Sequence, residues 1–311
     1  MVAVETKNLS KQYKQTTAVD QVSLQVPEGV KCGFLGKNGA GKTTTIQMLT
    51  GLKKPTSGSF SIMGEAQSFG KRNQAIGYLP DVPNFYGYMT AAEFLDLCGR
   101  LYHIPTVQRK EQIARLLRQV GLDRVKTRIS TYSRGMRQRL GIAQAMINRP
   151  SIIFLDEPVS ALDPTGRRDV MDIIQSLTDT TVVFSTHILA DVEDVCDYVL
   201  IIDKGKLLVQ DSLAALKAKN AKDIAKIELY EVEHTEQLKR ALEKRGDLTV
   251  SCPSPLELNL SVDGVDTADV SKVLTSTLAE LDLPMKEFAF HSPTLEELFL
   301  ELTRSGGGIH A

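Results

Sequence analysis

The sequence predicts an α/β protein with a largely parallel sheet, followed by a smaller α+β domain, and three observations carry that prediction. Short β-rich apolar runs alternate with helical patterns through the first two-thirds of the 311 residues, the order that builds layered α/β folds. A glycine-rich octapeptide, GKNGAGKT at 36–43, lies between one such run and a helical pattern. Composition then shifts near residue 211, where DSLAALKAKNAKDIA is rich in Ala and Lys and has little core signal. A linker or short connecting helix is expected there, which sets the domains at 1–215 and 216–311.

The runs VKCGFLG (30–36), SIIFLDEP (151–158), TTVVFSTH (180–187) and YVLIID (198–203) are apolar throughout and bounded by polar turns. Continuous runs of this kind are strands buried on both faces of a parallel sheet. Between them, TAAEFLDLCGRLY and RKEQIARLLRQVGL read as helices; in the second, Ile113, Leu116, Leu117 and Val120 fall at i, i+3, i+4 and i+7. After the linker the order is strand IAKIELYEV, helix TEQLKRALEKR, strands LTVSC and LELNLSVD, helix TADVSKVLTSTLAEL and strand MKEFAFH. That is the split βαβ order of ferredoxin-like folds. A last helix, SPTLEELFLELT, is expected from its Ser-Pro start and the stripe Leu295, Leu298, Phe299 and Leu302.

Apolar residues at 42% and charged residues at 24% are enough for a packed core rather than disorder. A formal net charge of −1 argues against sequence-independent coating of nucleic acid, which needs a strongly basic face. Cys32, Cys98, Cys196 and Cys252 form no CxxC pair, so a zinc or disulfide framework is not expected and a reducing cytosol fits. The N-terminus MVAVETKNLSKQYKQ lacks the apolar core of a signal peptide. The longest apolar runs are strand-sized, far short of a membrane span. The expectation is a soluble intracellular protein, any membrane part coming from a partner.

GKNGAGKT matches G-x-x-x-x-G-K-[ST] in full, with a buried-strand pattern before it and a helical pattern after it. Gly36, Gly39 and Gly41, with Asn38 and Ala40 between them, let the backbone turn its N–H groups into a nest for phosphate oxygens. The following helix adds the positive end of its dipole. Lys42 would bridge β- and γ-phosphates, and Thr43 would offer its hydroxyl to Mg²⁺. A chance glycine-rich turn is the plain alternative, and SIIFLDEP weighs against it. A carboxylate ending a buried strand beside such a loop is placed to hold Mg²⁺, the task of Asp156. Pro158 ends the strand, which frees Glu157 to turn toward the phosphates and activate a water. His187 closes another buried run. A lone histidine there is more often structural, but the carboxyl edge of an α/β sheet faces the ligand crevice.

YSRGMRQRL (132–140) carries three arginines in nine residues. It could be a nucleic-acid patch, an anion-binding helix start or a basic surface helix. Met136, Leu140, Ala143 and Ile147 share one helical face, so a core-packed helix begins here with Ser133 as its N-cap and an anion-friendly N-terminus. Arg134 and Arg137 project away from the apolar stripe, and Arg139 lies at its flank.

Taken together, these motifs resemble the ATP-binding subunit of ABC transporters over about residues 3 to 215. GKNGAGKTT is similar to Walker A, YSRGM to the signature, IIFLDEP to Walker B, SALD to the D-loop and STH to the H-loop. The resemblance implies a P-loop ABC-ATPase core with antiparallel β and helical subdomains. It implies that Tyr13 stacks on adenine, and that Lys42, Thr43 and Thr44 contact phosphate and Mg²⁺. Asp156 would be the Mg²⁺ ligand, Glu157 the base and His187 a γ-phosphate contact. It further implies a head-to-tail dimer, of this chain or with a homologous subunit. Ser133, Arg134, Gly135 and Met136 of one chain would then close the partner's ATP site, with Asp163 communicating across the dimer. Two departures stand out. Asp81 replaces the usual Q-loop Gln; it can still reach Mg²⁺ or its water but cannot donate a hydrogen bond. The signature has Tyr132, Arg134 and Met136 in place of Leu, Gly and Gln.

YS[KR]GM-type signatures and a C-terminal extension resemble the drug- and ion-exporter branch. The implied partners are ATP, Mg²⁺, a second ATPase subunit and separate permease subunits at the cytoplasmic side of the plasma membrane, not nucleic acid. Phe85, Tyr86, Tyr88 and Met89 crowd a loop, where each either offers a docking contact to a permease or tucks into the local helical subdomain. The alternative, a non-transport ABC ATPase acting on ribosomes or DNA, lacks the second cassette or long coiled coil of such proteins. The C-terminal domain shows no chemistry of its own: His234 and His291 have no matched ligand spacing, and Lys217, Lys219, Lys222 and Lys226 read as a solvated face. A contact domain that stabilises the dimer is the expectation.

Overall fold

The computed structural model describes residues 1–71, 73–219, 224–244, 249–261 and 267–291. They divide into two compact units, with the boundary between Leu213 and Ala214.

The first unit opens with β1 (Val2–Tyr13), which turns into β2 (Thr16–Val22) and also pairs with β3 (Gln25–Pro27). β4 (Lys31–Leu35) runs into the glycine loop and α1 (Lys42–Leu49). β5 (Ser57–Ile62) returns to pair with β1, and the short β6 (Glu65–Ala66) flanks it. β7 (Ile76–Leu79) leads to three helices, α2 (Ala91–Leu101), α3 (Thr106–Gln119) and α4 (Arg134–Ala145). The chain then alternates β8 (Ile152–Leu155), α5 (Pro164–Gln175), β9 (Thr181–Thr186), α6 (Leu189–Val195), β10 (Tyr198–Asp203) and β11 (Lys206–Ser212).

Two sheets result. The antiparallel one has the order β2-β1-β5-β6 with β3 beside β1. The other has the order β11-β10-β4-β9-β8-β7, in which β10, β4, β9, β8 and β7 run parallel and β11 is an antiparallel edge. The four runs read as strands are its four inner strands. They show no polar alternation because helices or the other sheet cover both faces: Phe34, Phe154, Phe184 and Leu200 are all buried. β7 is a fifth parallel strand that its four residues do not announce. The parallel arrangement brings the loops after β4, β7, β8 and β9 to one edge, where open α/β sheets bind ligands.

Local chemistry sets the helix starts. Thr90 and Glu93 form a capping box at α2, the Thr90 N–H donating to Glu93 at 2.8 Å and the Glu93 N–H to Thr90 at 3.3 Å. The periodic residues of α3 and its C-cap, Ile113, Leu116, Leu117 and Val120, are buried as their spacing requires.

The second unit begins within α7 (Leu213–Lys219), a short helix in the segment read as a linker or connecting helix. It continues as β12 (Ile224–Leu229), α8 (Val232–Glu243), β13 (Thr249–Ser254), β14 (Glu257–Ser261), α9 (Thr267–Glu280) and β15 (Met285–His291). The sheet order is β13-β14-β12-β15, every neighbour antiparallel. Ala225, Ile227, Leu258 and Leu260 form a core with Leu238, Leu242 and Leu274 of the two helices. Lys226 pairs with Glu257 at 2.8 Å and Lys286 with Glu228 at 2.6 Å, so charge accompanies the apolar face on these strands. The expected helix SPTLEELFLELT, with Leu295, Leu298, Phe299 and Leu302, lies outside the described residues.

Gly77 is where β7 meets α4: a Cβ there would run into the backbone carbonyl of Ala145. Gly77→Ala is expected to destabilise the first unit by about 1–3 kcal/mol, read as a lower urea midpoint. An unchanged midpoint would mean that β7 and α4 are free to separate.

Candidate active site

The loop of residues 36–41 joins β4 to α1 and is shaped by its glycines. Gly41 caps α1 with φ 109°, and a Cβ there would also lie 2.6 Å from the carbonyl oxygen of Ala18 on β2. Gly36 is required for a different reason, because a Cβ would meet the Ile202 carbonyl on β10 at 2.5 Å. The Gly36 N–H donates to the Thr186 carbonyl at 3.3 Å, and Ala40 is fastened by the Gly205 N–H at 2.9 Å. Asn38 and Gly39 stand exposed at the tip, Thr43 is exposed on the first turn of α1 and Thr44 is half-buried. The exposed tip lies at the start of a helix, the setting in which phosphate-binding nests form.

Lys42 is 5% exposed, and its ammonium turns back over the loop, donating to the carbonyls of Gly36 at 2.6 Å and Lys37 at 3.2 Å. It also pairs with Glu157 at 3.1 Å. The other oxygen of Glu157 lies 3.0 Å from His187 Nδ1. Lys42, Glu157 and His187, from three separate segments, therefore form one contiguous polar cluster.

Asp156 is 1% exposed and accepts hydroxyl hydrogen bonds from Thr43 at 3.0 Å and Ser185 at 2.7 Å. The sequence points to Pro158 as the cause of Glu157 turning away. The structure corrects this: β8 ends at Leu155, and Glu157 itself adopts the left-handed region with φ 47°. Its N–H donates to Ser185 Oγ at 2.8 Å, which holds the turn. Ser185 lies inside the quoted FSTH run, where it reads as one more strand residue; only the pairing of β8 with β9 gives it this role.

Asp81 follows β7 at the same edge; burial is the main reason the Asp156 pKa is raised, and the Asp81 charge adds a smaller push in the same direction. Asp81 also lies 3.8 Å from the Arg134 guanidinium, so the two departures from the family pattern face one another. Ser133 caps α4, accepting the Met136 N–H at 3.2 Å. Arg137 reaches the Ser130 carbonyl at 3.5 Å, and Arg139 reaches the Val120 carbonyl at 3.3 Å. A Cβ placed on Gly135 would lie 4.0 Å from Gly166 and from Leu162, next to Asp163, which caps α5 through the Gly166 N–H at 3.2 Å. The signature and D-loop segments are thus neighbours, and among the described residues no hydrogen bond or ion pair joins Ser133, Gly135 or Met136 to the glycine loop of the same chain. Tyr13, 40% exposed, ends the hairpin whose β2 touches Gly41. The ammonium groups of Lys11 and Lys53 sit over its ring at 5.2 and 5.1 Å, contacts that the sequence did not announce.

Thr43, Asp156 and Asp81 offer only hard oxygens, the donors that Mg²⁺ takes. Among the described residues no group of three His, Cys, Asp or Glu side chains forms a ready metal cage. Mg²⁺ is ordinarily held by one or two carboxylates together with substrate phosphates. Burial is the main influence on Asp156 and raises its pKa above the ordinary 3.8, with the Ser185 and Thr43 hydroxyls opposing. The folded chain thus holds this proton to higher pH than the unfolded chain. The resulting stabilisation is complete below about pH 3.8 and is lost as pH rises through the raised folded value. Asp156→Asn keeps an oxygen for both hydroxyls and removes the charge. At pH 7 it is expected to hold or raise the thermal midpoint without nucleotide, while added ATP and Mg²⁺ no longer raise it. A midpoint several degrees lower would show that the fold alone compensates the charge.

A family model described as ABC transporter matches residues 19–160. The uncharacterized ABC transporter ATP-binding protein YxlF of Bacillus subtilis (strain 168) is 44% identical over 233 residues, 74% of this chain and 77% of that one. The daunorubicin/doxorubicin resistance ATP-binding protein DrrA of Streptomyces peucetius is 33% identical over 310 residues, 97% of this chain and 92% of its own. Among solved structures, a dimeric post-hydrolysis ATP-binding cassette bound to ADP and Pi superposes with a TM-score of 0.60 at 25% identity, covering 68% of this chain and 98% of that one. Likeness of this extent, on a sheet edge built around a phosphate loop, makes the chain a member of the ABC transporter family, an ATP-binding protein that hydrolyses ATP.

Proposed function

We propose that this ATPase is the motor subunit of an exporter, two copies closing head to tail around two ATP–Mg²⁺ to drive separate permease subunits that expel a drug, ion or other small molecule. The observation that carries the chemistry is the position of Glu157, between the Lys42 ammonium at 3.1 Å and His187 Nδ1 at 3.0 Å. A triphosphate seated on the 36–43 loop draws the Lys42 ammonium to its β- and γ-oxygens. That frees one oxygen of Glu157 to accept a proton from the attacking water, while His187 orients the other. Thr43, Asp156 and Asp81 would hold Mg²⁺, which would neutralise charge developing on the transferred phosphate. Tyr13 gives adenine a platform beside the loop. The capped N-terminus of α4, with Ser133 to Met136 and the adjoining Asp163, supplies the missing wall of the partner's site.

Export is supported by likeness along nearly the whole chain to a protein named for drug resistance, 97% of this chain being covered. No helix among the described residues is long and apolar enough to cross a membrane. In this proposal the permease is formed by separate partner subunits, and this chain works at the cytoplasmic face. The docking surface is proposed at the loop before α2. Phe85 packs edge-on against Phe94 at 5.1 Å, and Met89 is half-buried, whereas Tyr86 and Tyr88 stand 52% and 66% exposed. A cleft of about 530 Å³, lined by residues of β7, α2 and α4 and by Thr50 and Leu52 after α1, has Leu52 and Leu101 exposed on its lining. The second unit is proposed as a contact domain that stabilises the dimer.

Glu157→Gln is expected to bind ATP and hold the dimer while kcat falls by about 10²–10⁴-fold. A variant with near wild-type turnover would remove Glu157 as the base. Replacing Tyr86 and Tyr88 together by Ser is expected to leave the ATPase activity of the purified chain unchanged. The fraction that sediments with membranes of the expressing cell should drop several-fold. Undiminished membrane association would place the docking surface elsewhere.

A further inference from the structure

Among the described residues the buried carboxylates are Asp156 and Asp191, 1% and 3% exposed, and only the first belongs to the site above. Asp191 lies in the first turn of α6. Its Oδ1 accepts from Arg167 Nε at 2.8 Å and lies 2.7 Å from Arg167 Nη2, a two-pronged contact from α5. Its Oδ2 accepts from the hydroxyl of Thr186 at 3.5 Å. That hydroxyl, fully buried, accepts in turn the N–H of Ile188 at 3.0 Å. His187 is the residue between them. Arg167 also donates its backbone N–H to the Asp163 carbonyl at 2.9 Å, inside the turn that Asp163 caps.

Stability alone gives little reason for this arrangement. Replacing a buried ion pair by apolar side chains is often neutral or stabilising, because desolvation of the two charges offsets their attraction. What the pair does provide is a fixed Thr186 hydroxyl, and with it a fixed backbone on the C-terminal side of His187.

We infer that Arg167 and Asp191 are positioning residues for ATP hydrolysis, which act through Thr186 to hold the His187 imidazole against Glu157. The same helix carries the Asp163 cap, so the turn containing Asp163 and the loop containing His187 are mechanically joined within one chain. This inference rests on the role proposed above for His187.

Steady-state ATPase kinetics of the purified full-length chain test it, using Arg167→Met, Arg167→Lys, Thr186→Val and His187→Ala, with the first and third also combined with His187→Ala. Arg167→Met and Thr186→Val are each expected to lower kcat by about tenfold or more. KM for ATP should stay within about twofold, since ground-state binding is untouched. Arg167→Lys, which keeps the charge but loses the fork, should fall between. In the His187→Ala background neither change should lower kcat further, because all act through one group. If Arg167→Met fails to fold, Thr186→Val decides the matter, because it leaves the ion pair intact. Wild-type kcat in Thr186→Val, or full additional loss in the His187→Ala background, overturns the inference alone. Wild-type turnover in His187→Ala overturns the role of His187 and the inference with it.

Discussion

Ser185 Oγ donates to Asp156 at 2.7 Å and accepts the Glu157 N–H at 2.8 Å, so one oxygen on β9 governs the end of β8. Adjacent residues of a continuing strand point to opposite faces of the sheet. Here the strand stops, Glu157 enters the left-handed region with φ 47°, and both acids come to the same edge. Asp156 reaches Thr43 on α1, and Glu157 reaches Lys42 and His187. A non-glycine residue in that conformation costs on the order of 1–3 kcal/mol, offset by surrounding structure. The Ser185 hydrogen bond and the Lys42 contact are that structure, and both depend on β4, β9 and β8 lying side by side.

The same adjacency sets the electrostatics. Burying Asp156 disfavours its charge, and the neighbouring Asp81 and Glu157 add to that effect. The Ser185 and Thr43 hydroxyls oppose part of it. The excess of carboxylate over cation at the edge suits a substrate that arrives with a divalent metal, and the exposed loop tip with the α1 N-terminus suits its phosphates. Elsewhere, α4 and α5 begin next to each other, each capped by its own side chain, Ser133 and Asp163. Two helix N-termini on one surface form an anion-attracting face. The loop of the same chain leaves that face unused.

Much of this was legible in the residues. The four apolar runs are strands because nothing polar interrupts them, and the 36–43 loop is recognisable because its spacing is tied to backbone geometry. Ser133 is readable as a cap because its partner is three residues away. Contacts between distant segments were not legible. Ser185 looks like an ordinary strand residue until β8 lies beside it, and Arg167 and Asp191 meet only because α5 and α6 are neighbours. The turn at Glu157 was read through Pro158, the nearest breaker, whereas the backbone angle of Glu157 itself makes it. The lysines over Tyr13 come from β1 and from the segment after α1, separated by 42 residues, 53 minus 11.

The sequence by itself determined the buried parallel strands, the phosphate loop, the identity of the acids and histidine, and the starts of the principal helices, because each is a short-range pattern of burial or capping. Only the tertiary structure decided which hydroxyl fixes the two acids at one edge, that Lys42, Glu157 and His187 touch, that Asp81 faces Arg134, and that a buried ion pair stands behind the histidine. These depend on which strands and helices become neighbours, and that is settled by packing across the whole sheet rather than by any stretch of chain.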